Sequence, residues 1–214
     1  MGGTERLKQW IKESGRIVFF GGAGVSTESQ IPDFRSQDGL YHQEYPYPPE
    51  EILSRSFYQK RPEEFYRFYR NKMLFPDARP NGAHLALAKL EREGKLDAVV
   101  TQNIDGLHQK AGSRKVLELH GSVHRNHCVR CGRFYSLEEM MELLEKEAVP
   151  RCGDCGGIVK PDVVLYEESL DTEVIRQAAE AISKADMRIV GGTSLTVYPA
   201  AGMIDYYKGN RLAL

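Results

Sequence analysis

Four cysteines fall in two pairs, Cys128-Val129-Arg130-Cys131 and Cys152-Gly153-Asp154-Cys155, with 20 residues between the pairs. Each pair can offer two thiolates from one tight turn, and two such turns suit tetrahedral zinc. Four thiolates leave no open coordination position, so a structural ion is expected. A redox role would need only one pair, with a helix start behind it. His124 and His127 lie near Cys128, but the sulfur set is complete without them.

A second chemistry is suggested by Phe20-Gly21-Gly22-Ala23-Gly24-Val25-Ser26-Thr27, a glycine turn after an apolar run. It begins like a dinucleotide phosphate loop, yet Thr27 stands where the third glycine belongs and Pro32 interrupts any long helix. No acid follows about 20 residues on to hold a ribose in the usual way; Asp33 comes too early. Three other stretches bring small, polar or titratable side chains after apolar runs: Thr101-Gln102-Asn103-Ile104-Asp105, His120-Gly121 and Gly191-Gly192-Thr193-Ser194. Turns favour such residues anyway, but four together at strand ends point to a ligand crevice. An imidazole there, His120, is a candidate general base near neutral pH.

The elements that must position these groups follow from periodicity. Strand-like runs occur at Ile17–Phe20, Ala98–Thr101, Val116–Leu119, Val163–Leu165 and Arg188–Val190, and Asn210–Leu214 reads as a turn entering another. Helical patterns span Thr4–Ser14, His84–Glu93, Leu137–Glu147, Asp171–Lys184 and Pro199–Tyr207. Alternation of strands and helices predicts a doubly wound, mostly parallel, Rossmann-like α/β sheet, and continuous apolar runs suit strands buried on both faces. The expected division is a Rossmann-like domain from 1–120 and 161–214, with a zinc-binding module at 121–160. Residues 36–80, rich in aromatics and proline, are expected to form a helical and loop insertion that covers the ligand.

The chain's 214 residues carry a formal net charge of -1, with 41% hydrophobic and 28% charged residues. That balance supplies no field for nucleic acid or an anionic membrane. No apolar run approaches the ~20 residues of a membrane span. The N-terminus has no signal-peptide core, and Arg6 occupies the place where myristoylation at Gly2 needs Ser or Thr. A cytoplasmic protein is expected, without nucleic-acid or membrane partners.

Taken in order, the glycine turn, Ile31-Pro32-Asp33-Phe34-Arg35, Thr101–Asp105, Leu119-His120-Gly121, the two cysteine pairs and Gly192-Thr193-Ser194 resemble the sirtuin family of NAD-dependent protein-lysine deacylases. The resemblance implies that NAD is consumed at its nicotinamide–ribose bond, which accounts for a phosphate turn without the rest of the hydride-transfer pattern. It implies that Gly22, Ala23, Gly192, Thr193 and Ser194 cradle the phosphates and that Asp33, Phe34 and Arg35 line a cofactor loop. Gln102 and Asn103 would hold the nicotinamide ribose, and Ile104 and Asp105 the carboxamide. His120 would take a proton from a ribose hydroxyl, with Asn103 beside it in the catalytic set. The products would be nicotinamide, O-acyl-ADP-ribose and free lysine.

Val163, Leu165 and Tyr166 resemble the segment that pairs with an acyl-lysine peptide. Tyr66 and Tyr69 fall where family members that prefer succinyl groups have a Tyr-x-x-Arg clamp. Without the arginine, acetyl or an apolar acyl group is expected over succinyl. The chain departs from the family's usual residues at Gly21 (Thr), Gln30 (Gly) and Glu167-Glu168 (Gly-Glu), the last placing a carboxylate where basic flanking residues would be favoured. Similar members continue past Leu214 with the rest of a strand, a loop at the adenosine end of NAD and a helix. The resemblance therefore implies a truncated copy that binds NAD weakly. A monomer is expected. Competing readings are ADP-ribosyl transfer to protein and a non-catalytic zinc-ribbon binding module.

Overall fold

The computed structural model describes residues 2–34, 39–40 and 45–214. Its centre is a five-stranded sheet formed by β1 (Ile17–Gly21), β2 (Leu96–Thr101), β3 (Val116–Glu118), β7 (Met187–Gly191) and β8 (Leu212–Ala213). The order is β3-β2-β1-β7-β8, and every pairing is parallel. All five residues of β1 are buried, which is why they read as an apolar run without alternation.

Helices cover both faces. Val18, Phe20, Ala98 and Val100 meet Ala178, Ala181 and Ile182 of α8 (Thr172–Ser183). The Asp171 carboxylate caps that helix by accepting from Glu173 N and Val174 N. On the opposite face Ile17, Phe19, Val99 and Met187 pack with Leu87 of α5 (Gly82–Arg92), and with Leu7 and Trp10 of α1 (Gly3–Glu13). Lys95 stops α1, its Nζ donating to the carbonyls of Ile11, Lys12 and Ser14.

A second, antiparallel sheet has the order β5-β4-β6, from β4 (Gly121–Cys128), β5 (Phe134–Tyr135) and β6 (Val159–Val163). It shares one core with α7 (Leu137–Lys146) and with α2 (Pro49–Ile52), α3 (Arg55–Lys60) and α4 (Pro62–Lys72). No helix among the described residues is long and apolar enough to cross a membrane.

Two expected elements differ. The run Val163–Leu165 is not a strand of the parallel sheet; the strand is Val159–Val163, and it pairs with β4. A short apolar run does not encode which sheet it joins. The helix expected at Pro199–Tyr207 is a 3-10 helix over Ala200–Tyr206. Two turns are too few for a sequence pattern to separate 3.0 from 3.6 residues per turn.

Candidate active site and metal centre

The carboxyl ends of β1, β2, β3 and β7 open into one cavity of about 1330 Å³. After β1 the chain enters a 3-10 helix, Ala23–Ser29, and after β7 it turns at Gly191-Gly192. The two turns interlock: Gly22 N donates to Gly191 O at 3.2 Å and Gly24 N to Gly192 O at 2.8 Å. A Cβ on Gly192 would stand 2.2 Å from Val25 N, so only glycine permits the contact. Asn81, the N-cap of α5, fixes the same 3-10 helix from behind, its Nδ2 donating to Val25 O and Ser29 Oγ.

Polar groups converge where these turns meet. The Ser26 hydroxyl donates to Asp105 Oδ2 at 2.7 Å and accepts from Asn103 Nδ2 at 3.1 Å. Leu107 N holds the other Asp105 oxygen at 2.9 Å. Gln102 Nε2 reaches Thr193 Oγ1 at 3.0 Å, which bridges the ends of β2 and β7. Ser26 is fully buried, and residue-type reasoning missed it as a site residue. Its place in the turn, four positions after Gly22, was the available signal.

His120 closes the far side. Its Nδ1 lies 3.0 Å from the Gln102 carbonyl, which can only accept, so Nδ1 carries the proton and Nε2 presents a lone pair. Burial lowers the imidazole pKa from its ordinary value, opposed by that hydrogen bond. His120 is therefore neutral at pH 7 and able to accept a proton.

Gly22, Ala23, Asp33, Phe34, Gln102, Asn103, Ile104, Asp105, His120, Gly192, Thr193, Ser194, Val163, Leu165 and Tyr166 all line the cavity. Arg35 lies outside the described residues. Tyr66 and Tyr69 do not reach the cavity. Both are 1% exposed in the core of the second sheet, and Tyr66 Oη donates to Val159 O at 2.8 Å. The apolar stripe of α4 turns Phe65, Tyr66, Phe68 and Tyr69 inward together, and only Lys72 and Met73 at the helix end touch the cavity. An acyl preference argued from Tyr66 and Tyr69 therefore has no basis.

The four cysteines meet as expected. Their Sγ atoms all lie within 4.8 Å of one another, with Cys128–Cys155 at 3.4 Å and Cys131–Cys152 at 3.7 Å. Thiolates around a tetrahedral zinc, at about 2.3 Å from the ion, sit about 3.8 Å apart. The donor set fits one zinc ion. Each pair closes the same turn, Gly132 N donating to Cys128 O and Gly156 N to Cys152 O.

Residues 22–199 match the Sir2 family. The chain is 60% identical over 210 residues to an NAD-dependent protein deacetylase of Clostridium acetobutylicum, covering 97% of this chain and 85% of that protein. It is 44% identical over 208 residues to one from Thermotoga maritima, covering 95% and 82%. Among solved structures, it resembles a Sir2 variant with a deacetylated p53 peptide and 3'-O-acetyl-ADP-ribose, at TM-score 0.89 and 41% identity over 99% of this chain and 85% of that one. A Sir2 bound to a propionylated peptide is similar at TM-score 0.85 and 42% identity, with the same coverage.

Proposed function

The chain belongs to the Sir2 family, and from that premise we infer that it is an NAD-dependent protein-lysine deacetylase. From acyl-lysine, NAD and one water it yields nicotinamide, O-acyl-ADP-ribose and deacylated lysine. NAD supplies both the nicotinamide–ribose bond that breaks and the hydroxyl that receives the acyl group. The observation that carries the reading is the meeting of a neutral His120 with the Ser26–Asn103–Asp105 network in one cavity.

Within that cavity we assign the chain's own groups as follows. The interlocked glycine turns, with Thr193 and Ser194, hold the phosphates through backbone and hydroxyl donors. Asn103, Ile104 and Asp105 orient the nicotinamide end, and Ser26 fixes Asn103 and Asp105 relative to each other. Phe34, packed against the second core, keeps water from the reacting carbon. His120 Nε2 accepts the proton of a ribose hydroxyl, which makes that oxygen the acyl acceptor.

The acyl-lysine peptide runs along Val163–Tyr166, where main-chain pairing gives affinity with little sequence selectivity. Supporting this, Val164 O and Glu167 N have no main-chain partner among the described residues. Zinc, held by Cys128, Cys131, Cys152 and Cys155, stays remote from the reaction and braces the second sheet. We further propose a cytoplasmic monomer acting on acyl-lysine proteins; light scattering on the purified chain tests its mass.

The deciding experiment incubates the protein with NAD and an acetylated peptide and weighs the products. Deacetylated peptide together with O-acetyl-ADP-ribose is expected. A peptide that gains ADP-ribose instead would establish the transferase reading, and an unchanged peptide would leave only the binding module.

A further inference from the structure

Resting on the reading that a peptide lies along Val163–Tyr166, we propose that Glu167 and Ser56 form a clamp that pre-shapes this edge. Glu167 is then a positioning residue for the acyl-lysine peptide and not for NAD.

Glu167 has φ +71°, in the left-handed region that disfavours any residue with a Cβ. A glutamate held in that conformation must return something for the strain. Its side chain does. One carboxylate oxygen accepts from Ser56 N and the other from Ser56 Oγ, each at 2.9 Å. Ser56 is the second residue of α3, so its N–H has no acceptor within the helix. The neighbouring N–H, that of Phe57, is capped by Ser54 Oγ. The carboxylate therefore completes the start of α3.

Main-chain bonds fix the residue just before. Tyr166 N donates to Leu53 O at 3.0 Å, and Arg55 N donates to Tyr166 O at 2.9 Å. Glu168 secures the same turn from inside, accepting from Leu165 N at 2.9 Å and Lys160 Nζ at 3.3 Å. Both acids of the pair are engaged within the chain. Together they hold Val164 O and Glu167 N beside the cavity in one arrangement. An edge ordered before binding spares the peptide the cost of ordering it.

The test measures KM for an acetylated peptide and for NAD separately, with melting temperature and direct peptide binding by fluorescence anisotropy. Glu167→Gly suits the backbone but removes the clamp. It is expected to raise peptide KM about tenfold while NAD KM stays within about twofold. Glu167→Gln retains an acceptor for Ser56 N and should recover most of the peptide affinity; Ser56→Ala, which keeps the N–H, should fall between. Peptide KM and peptide affinity unchanged in Glu167→Gly would overturn the proposal. So would equal losses toward peptide and NAD with a lower melting temperature, which mark a general structural defect. A wild-type protein that removes no acetyl group would overturn the functional reading itself, a result obtained before any variant is made.

Discussion

The two sheets of this molecule are held together by opposite means. The parallel sheet and the helix on it are mainly aliphatic: Ile17, Val18, Ala98, Val99, Val100, Met187 and Ile182 of α8 are all 0% exposed, with Phe20 among them. The second sheet has only three strands, and its core is richer in aromatic side chains. Phe65 meets Tyr66 edge-on at 5.2 Å and stacks on Tyr69 at 6.1 Å. Cys128 and Cys152 are themselves members of that core. With two of the four zinc-ligating residues buried in it, the order of that core is expected to depend on metal as well as on packing.

Stripping the metal with a chelator, or Cys152→Ala, should accordingly have the largest effect and confine it to one region. Zinc binding in zinc-finger peptides amounts to about 10–16 kcal/mol. Hydrogen exchange is expected to accelerate in β4, β5 and β6 while β1, β2 and β7 remain protected. Equal acceleration in both sheets would break the contrast.

His120 sits at the seam between the two regions. Leu119 N donates to Thr101 O of the parallel sheet, while Gly121 pairs with Val163 in the other. His120→Ala should lower deacetylation by about 10²–10⁴-fold with NAD binding retained. Because burial lowers this pKa, the neutral base persists below the ordinary histidine range. The acid limb of kcat/KM should therefore lie below about pH 6.5. A limb above that value would show that another group sets the profile.

The same contrast governs what could be read from the residues alone. Parallel strands buried on both faces appear as apolar runs, so β1, β2 and β7 were legible to within a residue or two. The cysteine pairs were legible because their chemistry is local to each turn. Tyr66 and Tyr69 were misplaced because a motif position says nothing about which way an amphipathic helix faces. Val163–Leu165 was assigned to the wrong sheet because pairing partners are a tertiary choice. Ser26 was overlooked because its role depends on Asp105, distant in sequence and 2.7 Å away in space.

The parallel region has its own weakness, and it is acid. His84 and His108 are 0% and 1% exposed, with ring centroids 4.7 Å apart. Burial pushes His108 down to about 4; a charged His84 would lower it further, and Asp105 opposes the shift. The folded state keeps the ring neutral while the unfolded chain takes up a proton near pH 6.5. Stability is therefore whole above pH 6.5 and falls as pH drops toward 4, by up to about 3 kcal/mol from this residue. Urea unfolding at pH 7 and pH 4.5 should show a larger loss for the wild type than for His108→Leu. Equal losses would mean that other groups carry the acid transition.

The smallest expected effect comes from a residue that looks like Glu167 and should behave in the opposite way. Gln30 also has a left-handed backbone, φ +66°, where it ends the 3-10 helix Ala23–Ser29. Its N–H donates to Thr27 O at 3.0 Å, a bond that any residue type keeps. Unlike Glu167, its side chain makes no hydrogen bond among the described residues, so nothing compensates the strain. Gln30→Gly relieves a cost of about 1–2 kcal/mol and gives part of it back through the greater freedom of glycine in the unfolded chain. A net gain of about 1 kcal/mol is expected, measured as a higher urea midpoint at unchanged slope. Glu167→Gly should show no such gain, because it exchanges strain for the loss of two hydrogen bonds to α3. If both glycine variants stabilise alike, the Glu167 side chain contributes nothing to its turn. If only Gln30→Gly does, the two left-handed residues are separated by what their side chains touch.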